Sequence, residues 1–207
     1  MFRLPKVIVF DLGKVILEFS HDQMCQQVAD LFAGDVAEVK KFLFATELHL
    51  AYERGQMTTQ QVLDKINVRF GCDLLLQDVT QALGDIFRLN AAIVPLISGL
   101  KSAGWRTGIL SNTCDAHWQC AIKKFGILSA FFDFYVLSFE VDEVKPFAGI
   151  YQSAAKAAGC LPSEIFFVDD LMENVEGARE AGIDAVLYTD VPNLVADLRR
   201  RKVRFAY

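Results

Sequence analysis

The chain has 207 residues, 53% of them hydrophobic and 23% charged, with a formal net charge of −5. That apolar content excludes intrinsic disorder, collagen-like repeats and coiled-coil rods, and the length suits one domain carrying a sizeable insertion. The acidic balance argues against a nucleic-acid or acidic-membrane binder.

Taken in chain order, the first element is an apolar run, Lys6–Phe10, that ends on Asp11. It reads as a buried strand of a parallel sheet, and at this length no signal peptide is expected. Residues 18–90 follow a different rhythm, with four helical patterns in a row and no convincing strand. Ser20 can cap a helix bearing Met24, Val28, Leu31 and Phe32. Val36, Val39, Leu43 and Leu50 form a second stripe, and Thr58 with Gln61 suits a capping box ahead of Val62, Ile66 and Phe70. Leu75, Val79, Leu83 and Ile86 form the fourth.

Beyond this helical bundle the alternation of strand and helix resumes. Thr107–Leu110 and Ile165–Val168 read as buried strands, with Phe134–Leu137 and Asp184–Tyr188 as weaker ones. Helical patterns lie at His117–Phe125, Phe147–Ala158 and Met172–Ala181, each followed by a glycine (Gly126, Gly159, Gly182) that suits a left-handed helix terminus. The expected fold is therefore α/β: a doubly wound, Rossmann-like parallel sheet. Residues 1–17 and 91–207 form its core, and residues 18–90 form a helical domain inserted after the first strand. The basic tail Arg199, Arg200, Arg201, Lys202 and Arg204 reads as the solvated end of a last helix. Five scattered cysteines without a C-x-x-C pair suit reduced thiols in a cytoplasmic protein. No run approaches the about 20 apolar residues that span a bilayer.

Ligands of open α/β sheets bind at the carboxyl ends of the strands. Those ends carry Asp11-Leu12-Gly13-Lys14-Val15, Ser111-Asn112-Thr113 and Asp169-Asp170, with Lys145-Pro146 in a turn between them. Three carboxylates in one crevice repel each other, and a hard divalent cation relieves that repulsion. A lysine and a hydroxyl beside them supply donors for a phosphate oxyanion, and a carboxylate can serve as the nucleophile. Together these groups read as a magnesium-dependent phosphoryl-transfer site acting on a small-molecule phosphate.

In this order the motifs resemble those of the haloacid-dehalogenase-like hydrolases, and the match spans essentially the whole chain. The helical insertion resembles that superfamily's cap. The Asp11-Leu12-Gly13-x-Val15 opening, Ser111-Asn112-Thr113 and Asn174-x-x-Gly177-Ala178 look most like small sugar-phosphate phosphatases of the glucose-1-phosphate phosphatase type. The resemblance implies that Asp11 is the nucleophile and a Mg2+ ligand. It also implies that the Gly13 carbonyl and Asp170 complete the protein's share of the metal shell, with Asp169 ligating directly or through water. Ser111 and Lys145 would hold the phosphoryl oxygens, with Asn112 close by.

The chain departs from the family at one position. Most phosphatases of the superfamily carry a second Asp two residues after the nucleophile, to protonate the leaving group, and here that residue is Gly13. A general acid contributes about 10²–10⁴ in rate, roughly 3–5 kcal/mol of barrier. Its absence is expected to favour anomeric, acyl or aryl phosphates, whose leaving groups need little protonation. His117 is either a replacement acid or an ordinary packed histidine, and Lys14 either adds charge at the phosphate or points to solvent. Glu53 and Arg54, in the polar turn Tyr52-Glu53-Arg54-Gly55, are candidates for substrate specificity. The Asp169-Asp170 pair argues against a dehalogenase and the missing acid against a mutase. The competing class is a non-catalytic phosphate- or partner-binding relative that lost turnover with that acid.

Overall fold

Val7–Phe10 (β1) is buried on both faces, which is why its sequence is apolar without alternation. In the computed structural model, which describes residues 4–207, β1 is the centre of a five-stranded parallel sheet. The first three residues of the expected core segment lie outside the described residues. After β1 come Leu17–Phe19 (β2) and five helices: His21–Asp30 (α1), Val36–Leu43 (α2), Thr46–Glu53 (α3), Thr59–Phe70 (α4) and Leu76–Gly84 (α5). Phe87–Leu89 (β3) and Val94–Ser102 (α6) lead to Arg106–Ser111 (β4), Asp115–Lys124 (α7), Gly126–Phe131 (α8) and Phe134–Leu137 (β5). The chain ends with Ser138–Val141 (α9), Ala148–Ala158 (α10), Ile165–Asp169 (β6), Met172–Glu180 (α11), Asp184–Leu187 (β7) and Val191–Arg200 (α12).

The strand order is β5-β4-β1-β6-β7. Val7 pairs with Arg106 on one side and Ile165 on the other, and Phe10 with Ile109 and Val168. Windings to either side therefore diverge at β1, and the crevice of a doubly wound sheet opens at that switch point. Side chains alternate across the sheet. Ile8, Phe10, Phe166 and Val168 pack with α6, α7, α8 and α12, whereas Val7, Val9 and Phe167 pack with α10 and α11.

The insertion is helical as expected, and its sequence signals are realised. Ser20 Oγ accepts from Gln23 N, Thr58 and Gln61 form a reciprocal capping box, and Gly71 ends α4 at φ 64°. Four differences stand against the sequence expectations. Residues 18–90 contain strand after all: β2 and β3 form an antiparallel ribbon, Leu17 opposite Leu89 and Phe19 opposite Phe87. Three-residue strands offer too little alternation to be seen in a sequence. The second apolar stripe splits into α2 and α3, because the buried face passes to Leu48 and Tyr52 while Leu50 turns outward. Gly159 (φ 63°) and Gly182 (φ 85°) are left-handed, but Gly126 instead begins α8. Finally, Arg201 is not a solvated tail residue: it is 3% exposed, its guanidinium pairing with Asp184 at 2.5 and 2.7 Å.

Candidate active site

The floor of the site is assembled from three strand ends. Asp11 directly follows β1, and its main-chain N–H donates to Val168 O of β6 at 2.8 Å. Its Oδ1 accepts from Leu12 N at 2.7 Å and lies 2.8 Å from Lys145 Nζ. Asp169, the last residue of β6, is fully buried and takes Lys145 Nζ at 2.6 Å on Oδ2. Its oxygens also accept from Asn174 Nδ2 at 3.0 and 3.1 Å, and Oδ1 from Leu171 N at 2.9 Å. Lys145 thus bridges two buried carboxylates. Asn112 positions it by clasping its main chain: Lys145 N donates to Asn112 Oδ1 at 2.8 Å, and Asn112 Nδ2 donates to Lys145 O at 3.0 Å.

Charge balance follows from this geometry. Burial pushes the Asp11 carboxyl up to about 7; Lys145 opposes that rise and Asp169 adds to it. Burial opposes the Lys145 charge, but the attraction of Asp11 and Asp169 outweighs it and holds Lys145 above its ordinary range. Asp170 is raised by burial and by Asp169. One lysine against three acids leaves a deficit of positive charge. Asp11, Asp169 and Asp170 each offer an oxygen within 4.8 Å of the others. This all-oxygen, anionic set suits a hard cation such as Mg2+.

Above the floor lies a cavity of about 440 Å³. Asp11, Gly13, Ser111, Asn112, Lys145, Asp170 and Asn174 line its lower part, and Phe19, His21, Glu53, Ile86, Phe87 and His117 its roof. The structure thus brings the floor residues expected from sequence to one cavity, apart from Asp169, which lies buried beneath it and is held by Lys145 and Asn174. Lys14 reaches the rim, but its Nζ donates to Phe19 O at 3.0 Å and Glu18 Oε2 at 3.2 Å. Arg54 is not brought to the cavity. It caps α3 one residue after Glu53, a step of about 100° round the helix, and its guanidinium lies over the Phe147 ring at 5.9 Å. His117 packs edge-on against Phe87 and is pushed down to about 3 by burial, with His21 and His49 adding to the effect. It is neutral near pH 7.

Gly13 has a steric reason to lack a side chain. A Cβ there would stand 2.8 Å from Cε1 of Phe19. Phe19 is in turn packed on His21, with centroids 4.9 Å apart, and on Phe87 at 6.1 Å.

Sequence reasoning missed several contributors. Asn174 appeared only as part of a family pattern, yet it binds both oxygens of Asp169. Ser138 carried no signal, yet its Oγ accepts from Thr113 N at 2.9 Å and donates to Glu53 O at 2.6 Å. Phe19 and His21 lie in the ribbon and helix start, where nothing marked them as cavity walls.

A family model of haloacid dehalogenase-like hydrolases matches residues 5–182. A D-ribitol-5-phosphate phosphatase of Bacteroides thetaiotaomicron is 26% identical over 186 residues, covering 86% of this chain and 89% of the relative. Among solved structures, a HAD-family enzyme of the same organism, in complex with magnesium and inorganic phosphate, superposes with TM-score 0.77 at 25% identity. The match covers 89% of this chain and 94% of that one. A predicted HAD-like family hydrolase of Porphyromonas gingivalis gives 0.78 at 24% identity over 95% of this chain and 98% of that one, which speaks for the fold. Strand order, strand-end residues and family match agree: the chain belongs to the haloacid dehalogenase-like hydrolases.

Proposed function

We propose that this chain is a magnesium-dependent phosphatase that hydrolyses a small sugar or polyol phosphate through an aspartyl-phosphate on Asp11. The observation that carries this reading is the Lys145 bridge between Asp11 and Asp169, set beneath a cavity that also receives Ser111 and Asp170. Asp11 attacks phosphorus, the bond to the leaving oxygen breaks, and water then hydrolyses the acyl phosphate to return Asp11 and inorganic phosphate. Lys145 favours the ionised form of Asp11 against burial, and Ser111, Asn112 and Lys145 hold the phosphoryl oxygens. Asp11, the Gly13 carbonyl and Asp170 would hold Mg2+, with Asp169 ligating directly or through water. The ion, when bound, supplies the charge that offsets the anionic phosphoryl group.

The relative that acts on D-ribitol 5-phosphate supports the substrate class. A cavity of about 440 Å³ is of the size that encloses one small metabolite. Glu53 is the specificity candidate that faces it. The five cysteines are free, which suits the cytoplasm, and among the described residues no helix is long and apolar enough to cross a membrane. The test is phosphate release from a panel of sugar, polyol and aryl phosphates, with magnesium and with chelator, beside an Asp11→Asn variant. Release is expected only from the unaltered chain with magnesium. A folded, magnesium-binding protein that turns over none of them would refute the reading in favour of a phosphate-binding protein.

A further inference from the structure

Gly13 leaves the floor of the site without a proton donor at that position, and the Phe19 ring stands 2.8 Å from where its Cβ would fall. The roof contains few groups able to replace it. His117 and His21 are both held neutral, each chiefly by burial. Lys14 is engaged by Phe19 O and Glu18. Glu53 remains. Its side chain is 24% exposed and faces the cavity from the last turn of α3.

Its backbone is fixed to the core rather than left to swing with the helices. Ser138 Oγ donates to Glu53 O at 2.6 Å and also accepts from Thr113 N, beside Ser111 and Asn112. Two residues on, Gly55 (φ 71°) lies so close to the Phe139 carbonyl that a Cβ would fall 2.0 Å from its oxygen. Gln56 Nε2 donates to Asp142 Oδ1 at 2.8 Å. These anchors at positions 53, 55 and 56 tie the end of α3, and with it the Glu53 main chain, to the core.

We infer that the Glu53 carboxyl is the group that protonates the departing oxygen, acting from the roof of the cavity in place of an acid at position 13. The inference rests on the phosphatase reading above. Burial favours the protonated form of Glu53, with His49 and Lys145 opposing it. His49 Nε2 lies 3.6 Å from Glu53 Oε1. As Asp11 bonds to phosphorus, the electron pair of the breaking P–O bond goes to the leaving oxygen, which takes the Glu53 proton and departs as an alcohol. The Glu53 carboxylate then accepts a proton from the water that attacks the aspartyl-phosphate. Phosphate leaves, Asp11 is a carboxylate again, and Glu53 is reprotonated.

The experiment compares Glu53→Gln and Glu53→Ala with the unaltered enzyme on two esters, a polyol phosphate and nitrophenyl phosphate. Neither substitution touches the main-chain carbonyl that Ser138 holds. Proton donation matters most for the poorer leaving group, so kcat on the polyol ester should fall about 10²–10³-fold. The ratio of polyol to nitrophenyl kcat should fall at least about 30-fold, with KM changing little. Equal losses on both esters, or a loss confined to KM, would make Glu53 a binding residue and overturn the inference; so would undiminished kcat in both variants. Absence of turnover by the unaltered enzyme on both esters and on the rest of the phosphate panel is instead the failure of the phosphatase reading itself.

Discussion

Replacing Lys145 by Met keeps the length of the side chain and removes its charge. In the folded protein this leaves Asp11 and Asp169, which Lys145 Nζ contacts at 2.8 and 2.6 Å, without their cation in a site where Lys145 is 4% exposed. Breaking a buried ion pair from one side costs about 3–5 kcal/mol. Because two acids share the lysine, the loss in chelator should lie toward the upper end of that range. The Asp11 carboxyl, already raised to about 7 with the lysine present, rises further without it, so the variant should show no turnover at neutral pH. Magnesium should return part of the lost stability, because the ion supplies charge to the same carboxylates and binds the folded state alone. Urea unfolding in chelator and in magnesium reads both quantities. A loss under about 1 kcal/mol in chelator, or no difference between the two conditions, would refute the charge-balance argument.

Three further outcomes follow from other contacts. The depressed His117 binds its proton more readily in the unfolded chain, so its contribution to stability is full above about pH 6.5 and is lost as pH falls toward about 3. Between pH 7 and 5 this amounts to about 2 kcal/mol, and a His117→Asn variant should unfold with that much less acid dependence; the raised Asp11 acts in the opposite direction in both proteins. Ser138→Ala removes the acceptor of the buried Thr113 N–H and the donor to Glu53 O, which should cost about 1–3 kcal/mol in denaturant unfolding and raise KM. Gly13→Ala forces the Phe19 ring aside and should cost about 1–3 kcal/mol in thermal or urea unfolding.

The sheet was legible because each central strand is a short apolar run that stops abruptly on polar residues, and the stops form the candidate site. Phe10 to Asp11, Leu110 to Ser111 and Val168 to Asp169 all mark the same edge. Lys145 was legible only through its company, since nothing local announces that a lysine in a loop lies buried between acids 134 residues before it and 24 after. Asn174 was hidden for the same reason: it sits in the first turns of α11, where an asparagine ordinarily faces water. The cap was legible as helices, through Ser20, Thr58 and Gln61, but not as a wall. Which of Glu53 and Arg54 enters the cavity depends on the rotation of α3, and that is set by contacts with Ser138 and Phe139 far along the chain. Three-residue strands fell below what any periodicity can reveal.

The contact between Gly13 and Phe19 also bears on how such a site changes over generations. An aromatic ring at position 19 and a Cβ at position 13 compete for one volume. A side chain introduced at position 13 must displace the ring, and a ring removed beside glycine leaves a hole next to Phe87 and His21. The two positions are therefore coupled, and a change at one is felt at the other. A chain with glycine at position 13 and phenylalanine at position 19 is held there by packing, and neither position changes freely without the other.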